Sequence, residues 1–389
     1  MIRLGIISDI HCHEKSEKPQ GGYYFPLMPD NPVSQNPFAA LRQLIRSDDI
    51  KVDFLLCPGD YAHIVDEKGL KSSWEQLKLM SHELKAKLLI GTIGNHDVAS
   101  RAKGDSFSYI KIFDSNFPVY VDDKSPEYLK SLLNEGYYYV DHEGDDIFFM
   151  VLNSCFDHWD EVQASRGKIL KEESEKIEKI IENSLRSKKI LMVHHHPIIH
   201  ETGISDTSDV IEGSEELMKN IVKAKVDLVI HGHKHDFRFT QERIYPKNLN
   251  ILASGSFSCY KSSLKTYVQN AFHVVEFHSS NNLDHCINPG IIKTYLYDPA
   301  HGWELDPSKE EGFGCVLTEP QLIEIVKPEL ASNSLPYILW EELISRNTVL
   351  KYISRKTRNS ILNELLKEKD IQSLSLDRFG NVHSHIIIR

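Results

Sequence analysis

Short apolar runs alternate along the chain with polar stretches of helical spacing. Ile2–Ser8 is an apolar run that ends at Asp9, the pattern of a buried strand. Residues 14–36 carry Pro19, Gly21, Gly22, Pro26, Pro29 and Pro32 and predict a long loop. Phe38–Ile45 has helical spacing. Val52–Cys57 predicts a second strand, stopped by Pro58-Gly59 ahead of Asp60. Ser73–Lys85 predicts a helix, and Lys87–Ile93 a third strand that runs into Gly94-Asn95-His96-Asp97. Tyr137–Val140 and Ile147–Leu152 flank a polar DHEGDD segment and predict a hairpin. Across Leu170–Leu185, Ile177, Ile180, Ile181 and Leu185 form one stripe of a charged helix. Lys189–Val193 and Val226–Ile230 each run into histidines, and Leu249–Ala253 and Ala271–Phe277 predict later strands.

Strand, polar residues and helix thus recur, with no internal repeat, and the unusual residues stand just past strand C-termini. In layered α/β proteins that edge collects ligands. Beyond about residue 290 the histidine-bearing strand ends stop. Ile361–Lys367 predicts a helix, and Ser373–Leu376 with Val382–Ile388, around Asp377–Asn381, a closing hairpin. The expected organisation is one domain over 1–300 and a small α+β appendage over 301–389, of winged type.

Composition narrows the class. Among 389 residues, 45 Lys and Arg face 56 Asp and Glu, a net charge of −11. Gly and Pro total 36, about 9% against the roughly 12% of average usage, which excludes low-complexity and collagen-like chains. Six cysteines are spread singly, with no C-x-x-C pair, as expected of reduced thiols in a cytoplasmic protein. The N-terminal MIRLGIISDIHCHE has no signal-peptide core, and no window approaches the ~20 apolar residues of a membrane span. Residues 341–389 carry 9 basic and 6 acidic groups, +3, which leaves −14 on residues 1–340.

Histidine changes the picture most: there are twenty, and eleven fall at 11/13, 63, 96, 194–196, 200 and 231/233/235. Five groups follow apolar strands: Asp9-Ile-His11, Gly59-Asp60, Gly94-Asn95-His96-Asp97, His194-His195-His196-Pro197 and Gly232-His233-Lys234-His235. Residues two apart in extended chain share a side, so Asp9 with His11, and His233 with His235, can share an ion if extension continues past the strand. Glycines before Asp60, Asn95 and His233 permit tight turns or close backbone approach. Aspartate, asparagine and imidazole together make a mixed N/O field suited to Mn, Fe, Zn or Ni rather than Ca.

The order D-x-H, G-D, G-N-H-D, H-x-P and G-H-x-H resembles the calcineurin-like metallophosphoesterase superfamily. Softer likenesses at Arg166-Gly-Lys-Ile-Leu170 and Ala271–Phe277 extend it over about 1–300. The resemblance implies a four-layered α-β-β-α sandwich with two divalent metals, Mn foremost, at the strand ends. It implies that Asp9, His11 and His235 bind one metal, Asn95, His195 and His233 the other, and that Asp60 bridges. Two such ions ~3.5–4 Å apart would generate hydroxide for in-line attack on phosphorus. His96 would contact phosphate or protonate the leaving oxygen, and Asp97 would orient His96. His13, His194, His196 and His231 are expected as neighbours of the site, and His63, in G-D-x-x-H, resembles a feature of nuclease members.

Protein phosphatases of the superfamily carry G-D-x-V-D-R-G and G-N-H-E. Here Gly59-Asp-Tyr-Ala-His63 lacks the arginine, and Gly94-Asn-His-Asp97 ends in aspartate. The expectation is therefore a phosphodiesterase acting on a small nucleotide-type substrate, since −14 opposes an extended nucleic-acid track. A DNA or RNA nuclease is the alternative enzyme. A non-catalytic metal-binding scaffold, with the C-terminal appendage as a protein-partner surface, is the alternative of another class. No membrane partner is expected.

Overall fold

A computed structural model describes residues 1–14, 36–99, 107, 110, 116–156, 166–199, 210–244, 247–259, 269–281, 283–333, 338–365, 367, 373–374 and 387–388. His200, most of the loop at 14–36 and the turn at 377–381 lie outside these residues. The chain divides into two compact units. The larger comprises Arg3–Val274 and Tyr295–Glu304; the smaller comprises Met1–Ile2, Val275–Thr294 and Leu305–Arg389.

In the larger unit, β1 (Ile2–Ile6), β2 (Phe54–Cys57) and β3 (Leu88–Gly91) pair in parallel, with Leu4 opposite Phe54 and Phe54 opposite Leu88. β4 (Val119–Tyr120) adds antiparallel to β3. Every residue of β2 and β3 is buried, which accounts for their uninterrupted apolar sequence. The connecting helices are capped by local side chains. α1 (Pro37–Asp48) begins where Asn36 accepts from the Ala39 N–H, and α2 (Glu67–Glu83) where Asp66 accepts from the Gly69 N–H. The Asp66 cap starts α2 at Glu67, six residues ahead of the expected start at Ser73.

The second sheet has the order β5-β6-β7-β8-β10-β9, from β5 (Tyr137–His142), β6 (Ile147–Leu152), β7 (Lys188–Met192), β8 (Leu228–His231), β9 (Arg238–Ile244) and β10 (Lys247–Ala253). β5 and β6 form the expected hairpin, and β6, β7, β8 and β10 run parallel. α3 (Ser125–Asn134), α4 (Lys171–Asn183) and α5 (Ser214–Lys223) belong to the same unit. Ile177 and Ile181 of α4 and Leu217 and Ile221 of α5 bury against Leu191 and Val229. Truncating any one to alanine costs about 2–5 kcal/mol. Residues of the two sheets touch: the Phe54 and Phe149 rings are 5.0 Å apart, and Thr92 Oγ1 donates to Leu152 O at 2.7 Å.

β11 (Ala271–Phe277), β12 (Cys286–Asp298) and β13 (Gly302–Leu305) follow. In the smaller unit, β12 pairs antiparallel with β14 (Glu311–Cys315), and Arg355 holds Glu311 through its N–H at 2.7 Å and Nε at 2.8 Å. Helices α6 (Glu319–Ser332), α7 (Trp340–Arg346) and α8 (Arg355–Leu365) enclose Leu322, Val326, Leu343 and Ile361. β15 (Ser373–Leu374) pairs with β16 (Ile387–Ile388), at the ends of the expected hairpin. The larger unit is thus a mixed α/β core, and further helices and strands follow it in the sequence. Among the described residues no helix is long and apolar enough to cross a membrane.

Candidate metal centre

The loops leaving β1, β2 and β3 are tied backbone to backbone. Asp9 N–H donates to Gly59 O at 3.1 Å, and the Ile10 and His11 N–H groups both donate to Asp60 O, at 2.8 and 3.0 Å. Extended geometry does not continue into these loops. Asp9 and His11 have φ 51°, Asp60 57°, His233 82° and His235 57°. Left-handed turns, not alternation along a strand, bring Asp9 to His11, and they send His233 to Asn95 and His235 to His11 rather than together, which corrects the simple two-residue argument. Each such residue costs of order 1–3 kcal/mol unless its surroundings hold it, and strain of this kind gathers at functional sites. Close packing holds these. A Cβ on Gly94 would stand 2.2 Å from Asp60 Oδ1, and one on Gly232 would stand 2.3 Å from Asp9 Oδ2.

Two donor groups result. In the first, His11 Nε2 is 2.8 Å from His235 Nε2, 3.5 Å from Asp60 Oδ2 and 3.9 Å from Asp9 Oδ1, while His235 Nε2 is 3.6 Å from Asp9 Oδ1. In the second, His194 Nε2 is 3.0 Å from Asn95 Oδ1 and 3.3 Å from Asp60 Oδ2, and His233 Nδ1 is 3.0 Å from Asn95 Oδ1. A divalent ion with bonds of ~2.1 Å places its donors about 3.0–3.4 Å apart. The donor chemistry fits, and so do all three spacings of the second group, while those of the first run from 2.8 to 3.9 Å on either side of that range. Asp60 Oδ2 belongs to both groups.

The H-x-P spacing selects His195, but the ring that reaches Asp60 and Asn95 is that of His194. Its Nδ1–H donates to Pro58 O at 3.0 Å, which turns Nε2 toward the cluster. His195 Nδ1 meets Ser154 Oγ at 2.7 Å instead.

Asp97 also differs from expectation. Its carboxylate accepts from the N–H groups of Asp60 at 2.8 Å, Gly94 at 2.9 Å and Ala62 at 3.0 Å, so it clasps two ligand-bearing loops. The His96 ring is held by Ile64, whose N–H donates to Nδ1 at 3.2 Å; Val65 N–H donates to His96 O at 2.8 Å. Ile64 and Val65 are β-branched residues at φ 49° and 57°, a strained turn next to His96. His96 N–H in turn donates to Asp60 Oδ1 at 2.8 Å.

Burial and mutual charge set the protonation of the cluster. Burial, with Asp60 adding to it, pushes the Asp9 carboxyl up to about 7 against the pull of His194. Burial would raise Asp60 too, but His194, His96 and His11 outweigh it and hold Asp60 well below the carboxylate range. Burial would lower His194, yet Asp60, with Asp9 and Asp97, brings it up to about 9. Burial depresses His11 and His233 strongly and takes His235 down to about 3. Burial thus favours the neutral forms of His11, His233 and His235, while Asp60 and His194 each favour the charged form of the other. Burial and Asp60 push Asp97 up to about 8, against the Ala62 and Gly94 N–H groups.

Around this centre the His63 ring stacks on His96 at 5.3 Å, His13 lies 5.9 Å from His63, and His196 packs edge-on to His231 at 4.8 Å. Sequence reasoning missed the segment after β10. There Ser256 Oγ donates to Asp9 O at 2.7 Å, Ser258 Oγ donates to Ile10 O at 2.5 Å, and Cys259 Sγ lies 3.0 Å from His235 Nδ1. A run of small hydroxyl residues past a strand, Ser254-Gly-Ser-Phe-Ser-Cys259, was the available signal.

The chain is similar in structure to a dimetal phosphatase from Danio rerio, with a TM-score of 0.50 and 12% identity over 78% of this chain and 98% of that one. It is also similar to the purple acid phosphatase PPD1 from yellow lupin (Lupinus luteus), with a TM-score of 0.48 and 15% identity over 78% of this chain and 52% of that one. No curated protein matches it in sequence. The family model of the calcineurin-like phosphoesterases matches residues 2–237, more than half of the sequence. The chain belongs to the calcineurin-like phosphoesterase family.

Proposed function

We propose that the protein is a dinuclear, metal-dependent phosphoesterase whose substrate is a phosphodiester of small nucleotide type. The observation that carries this reading is the position of Asp60 Oδ2, 3.5 Å from His11 Nε2 and 3.3 Å from His194 Nε2. Asp9, His11 and His235 would hold the first ion and Asn95, His194 and His233 the second, with Asp60 common to both. Mixed oxygen and imidazole donors suit Mn, Fe, Zn or Ni, and Mn is the ion this reading puts first. When bound, such ions acidify water and neutralise charge on a phosphoryl group.

The protein's own part is orientation and proton supply. Donation from Ile64 N–H to His96 Nδ1 leaves the proton of the neutral ring on Nε2. That proton suits the departing ester oxygen, or a hydrogen bond to a phosphoryl oxygen. Asp97 keeps the Asp60 and Asn95 loops in register through three N–H groups, a role in positioning rather than in orienting His96. We also read α4 and α5 on one sheet, and α1 and α2 on the other, as the outer layers of an α-β-β-α sandwich. Six unbridged cysteines fit a reducing cytoplasm.

The net charge of −11 favours a small diester over a nucleic-acid track. Nuclease action is the second reading, favoured by His63 stacked on His96. One experiment separates them: purified protein with Mn(II) is offered a chromogenic diester, a monoester, cyclic nucleotides, dinucleotides and single- and double-stranded DNA side by side. Preferential turnover of the small diesters supports the proposal. Preferential cutting of DNA replaces it with the nuclease, and turnover of nothing favours the scaffold.

A further inference from the structure

The His235 ring is held between two different environments. Its Nε2 faces the first donor group, 2.8 Å from His11 Nε2 and 3.6 Å from Asp9 Oδ1. Its Nδ1 lies 3.0 Å from the sulfur of Cys259, which is only 2% exposed. A neutral imidazole carries one proton, and a nitrogen that offers its lone pair to a cation leaves that proton on the other nitrogen. With Nε2 facing the donors, the proton belongs on Nδ1, and the Cys259 sulfur is the acceptor placed there. The backbone of Cys259 is itself fixed, because its N–H donates to Ser256 Oγ at 2.9 Å. Ser256 and Ser258 also grip the carbonyls of Asp9 and Ile10, and Phe257 N–H donates to Ser8 O at 2.8 Å. One short segment thus supports Asp9 and His235 together. The corresponding support of His194 is the Pro58 carbonyl, on another loop.

Resting on the two-ion reading above, we propose that Cys259 is a positioning residue for the first ion: its sulfur fixes the tautomer and ring plane of His235, and so the affinity of the Asp9–His11–His235 site but not of the Asn95–His194–His233 site. The partner of a ligating imidazole typically changes metal affinity by about 10–100-fold when removed.

The test is calorimetric titration of full-length protein with Mn(II), together with metal counts after gel filtration, for wild type, Cys259→Ala and Cys259→Ser. Wild type is expected to take up two ions. In Cys259→Ala one site should weaken about 10–100-fold while the other keeps its wild-type affinity. Cys259→Ser, whose hydroxyl also accepts a hydrogen bond, should recover most of the loss. If Cys259→Ala is insoluble, Cys259→Val, of similar bulk and without an acceptor, takes its place. Unchanged affinities, equal weakening at both sites, or a serine variant no better than the apolar one would overturn the proposal. Wild-type protein taking up fewer than two ions would overturn the two-ion reading and this proposal with it. A two-ion wild type with an unaltered apolar variant would overturn this proposal alone.

Discussion

His11 Nε2 and His235 Nε2 stand 2.8 Å apart, although 224 positions separate the two residues. Burial keeps both rings from charging, so at this distance the two neutral rings share one N–H as a hydrogen bond beside Asp9 and Asp60. A divalent cation taking both nitrogens would replace that hydrogen bond with two metal–nitrogen bonds and offset the desolvation of the buried carboxylates. Mn(II) should therefore stabilise the fold. At one hundred times its dissociation constant a ligand of the native state adds about 2.7 kcal/mol. Thermal melts with Mn(II) and with EDTA check this; coincident melting curves would count against a cation site.

His96→Ala should separate chemistry from metal binding. The side chain is held by Ile64 N–H and stacked on His63, next to His11, and is not among the seven residues assigned to the two ions. Turnover of a phosphodiester should fall roughly 10²–10⁴-fold, the usual worth of a positioned acid, with metal content close to wild type. Metal analysis showing a lost ion would mean that His96 is a ligand instead.

Metal affinity should rise with pH. Without metal, His194 is raised to about 9 and Asp9 to about 7, so at neutral pH the ion of the Asn95–His194–His233 site must displace the His194 proton and the ion of the Asp9–His11–His235 site part of the Asp9 proton. Affinity should climb about tenfold per pH unit from 7 toward 9 and level off above it. Titration in buffers of different ionisation enthalpy should show release of about one proton at pH 8. A pH-independent affinity over this range would contradict the charged His194.

His273 should make the fold acid-sensitive. Burial lowers it to about 4, and its Nε2 lies 2.9 Å from Ser254 O. A histidine depressed in the folded state contributes stability above its unfolded value near 6.5 that is lost as pH falls toward 4. Between pH 7 and 5 this amounts to about 2 kcal/mol. Urea unfolding should show wild type losing that much more than His273→Gln, whose amide can still donate to Ser254. Equal losses would show that His273 does not carry the effect.

Much of this centre could be read from the sequence, for a physical reason. Gly94 and Gly232 are demanded by atoms of Asp60 and Asp9 that leave no room for a Cβ, so the motifs are rigid in sequence as well as in space. The buried strands β2, β3 and β6 were legible as unbroken apolar runs. β9 was not, because none of its residues is buried, and β12 and β14 lack a contrast between two faces. His194 could not be told from His195 by spacing to Pro197, since the choice depends on a carbonyl 136 positions away. Asp97 looked like a partner of His96 because they are neighbours, whereas its acceptors serve backbone N–H groups that no sequence pattern displays.

The central claim is that Asp60 joins two ions in one phosphoesterase centre, and metal counting on wild type and Asp60→Asn tests it most directly. After loading with Mn(II) and gel filtration, wild type should retain two ions per chain and hydrolyse a chromogenic diester. Asp60→Asn, which keeps the shape but not the charge, should lose metal from both sites and lose hydrolysis with it. A wild type with a single ion, or an Asp60→Asn variant that keeps both ions and full activity, would contradict the account.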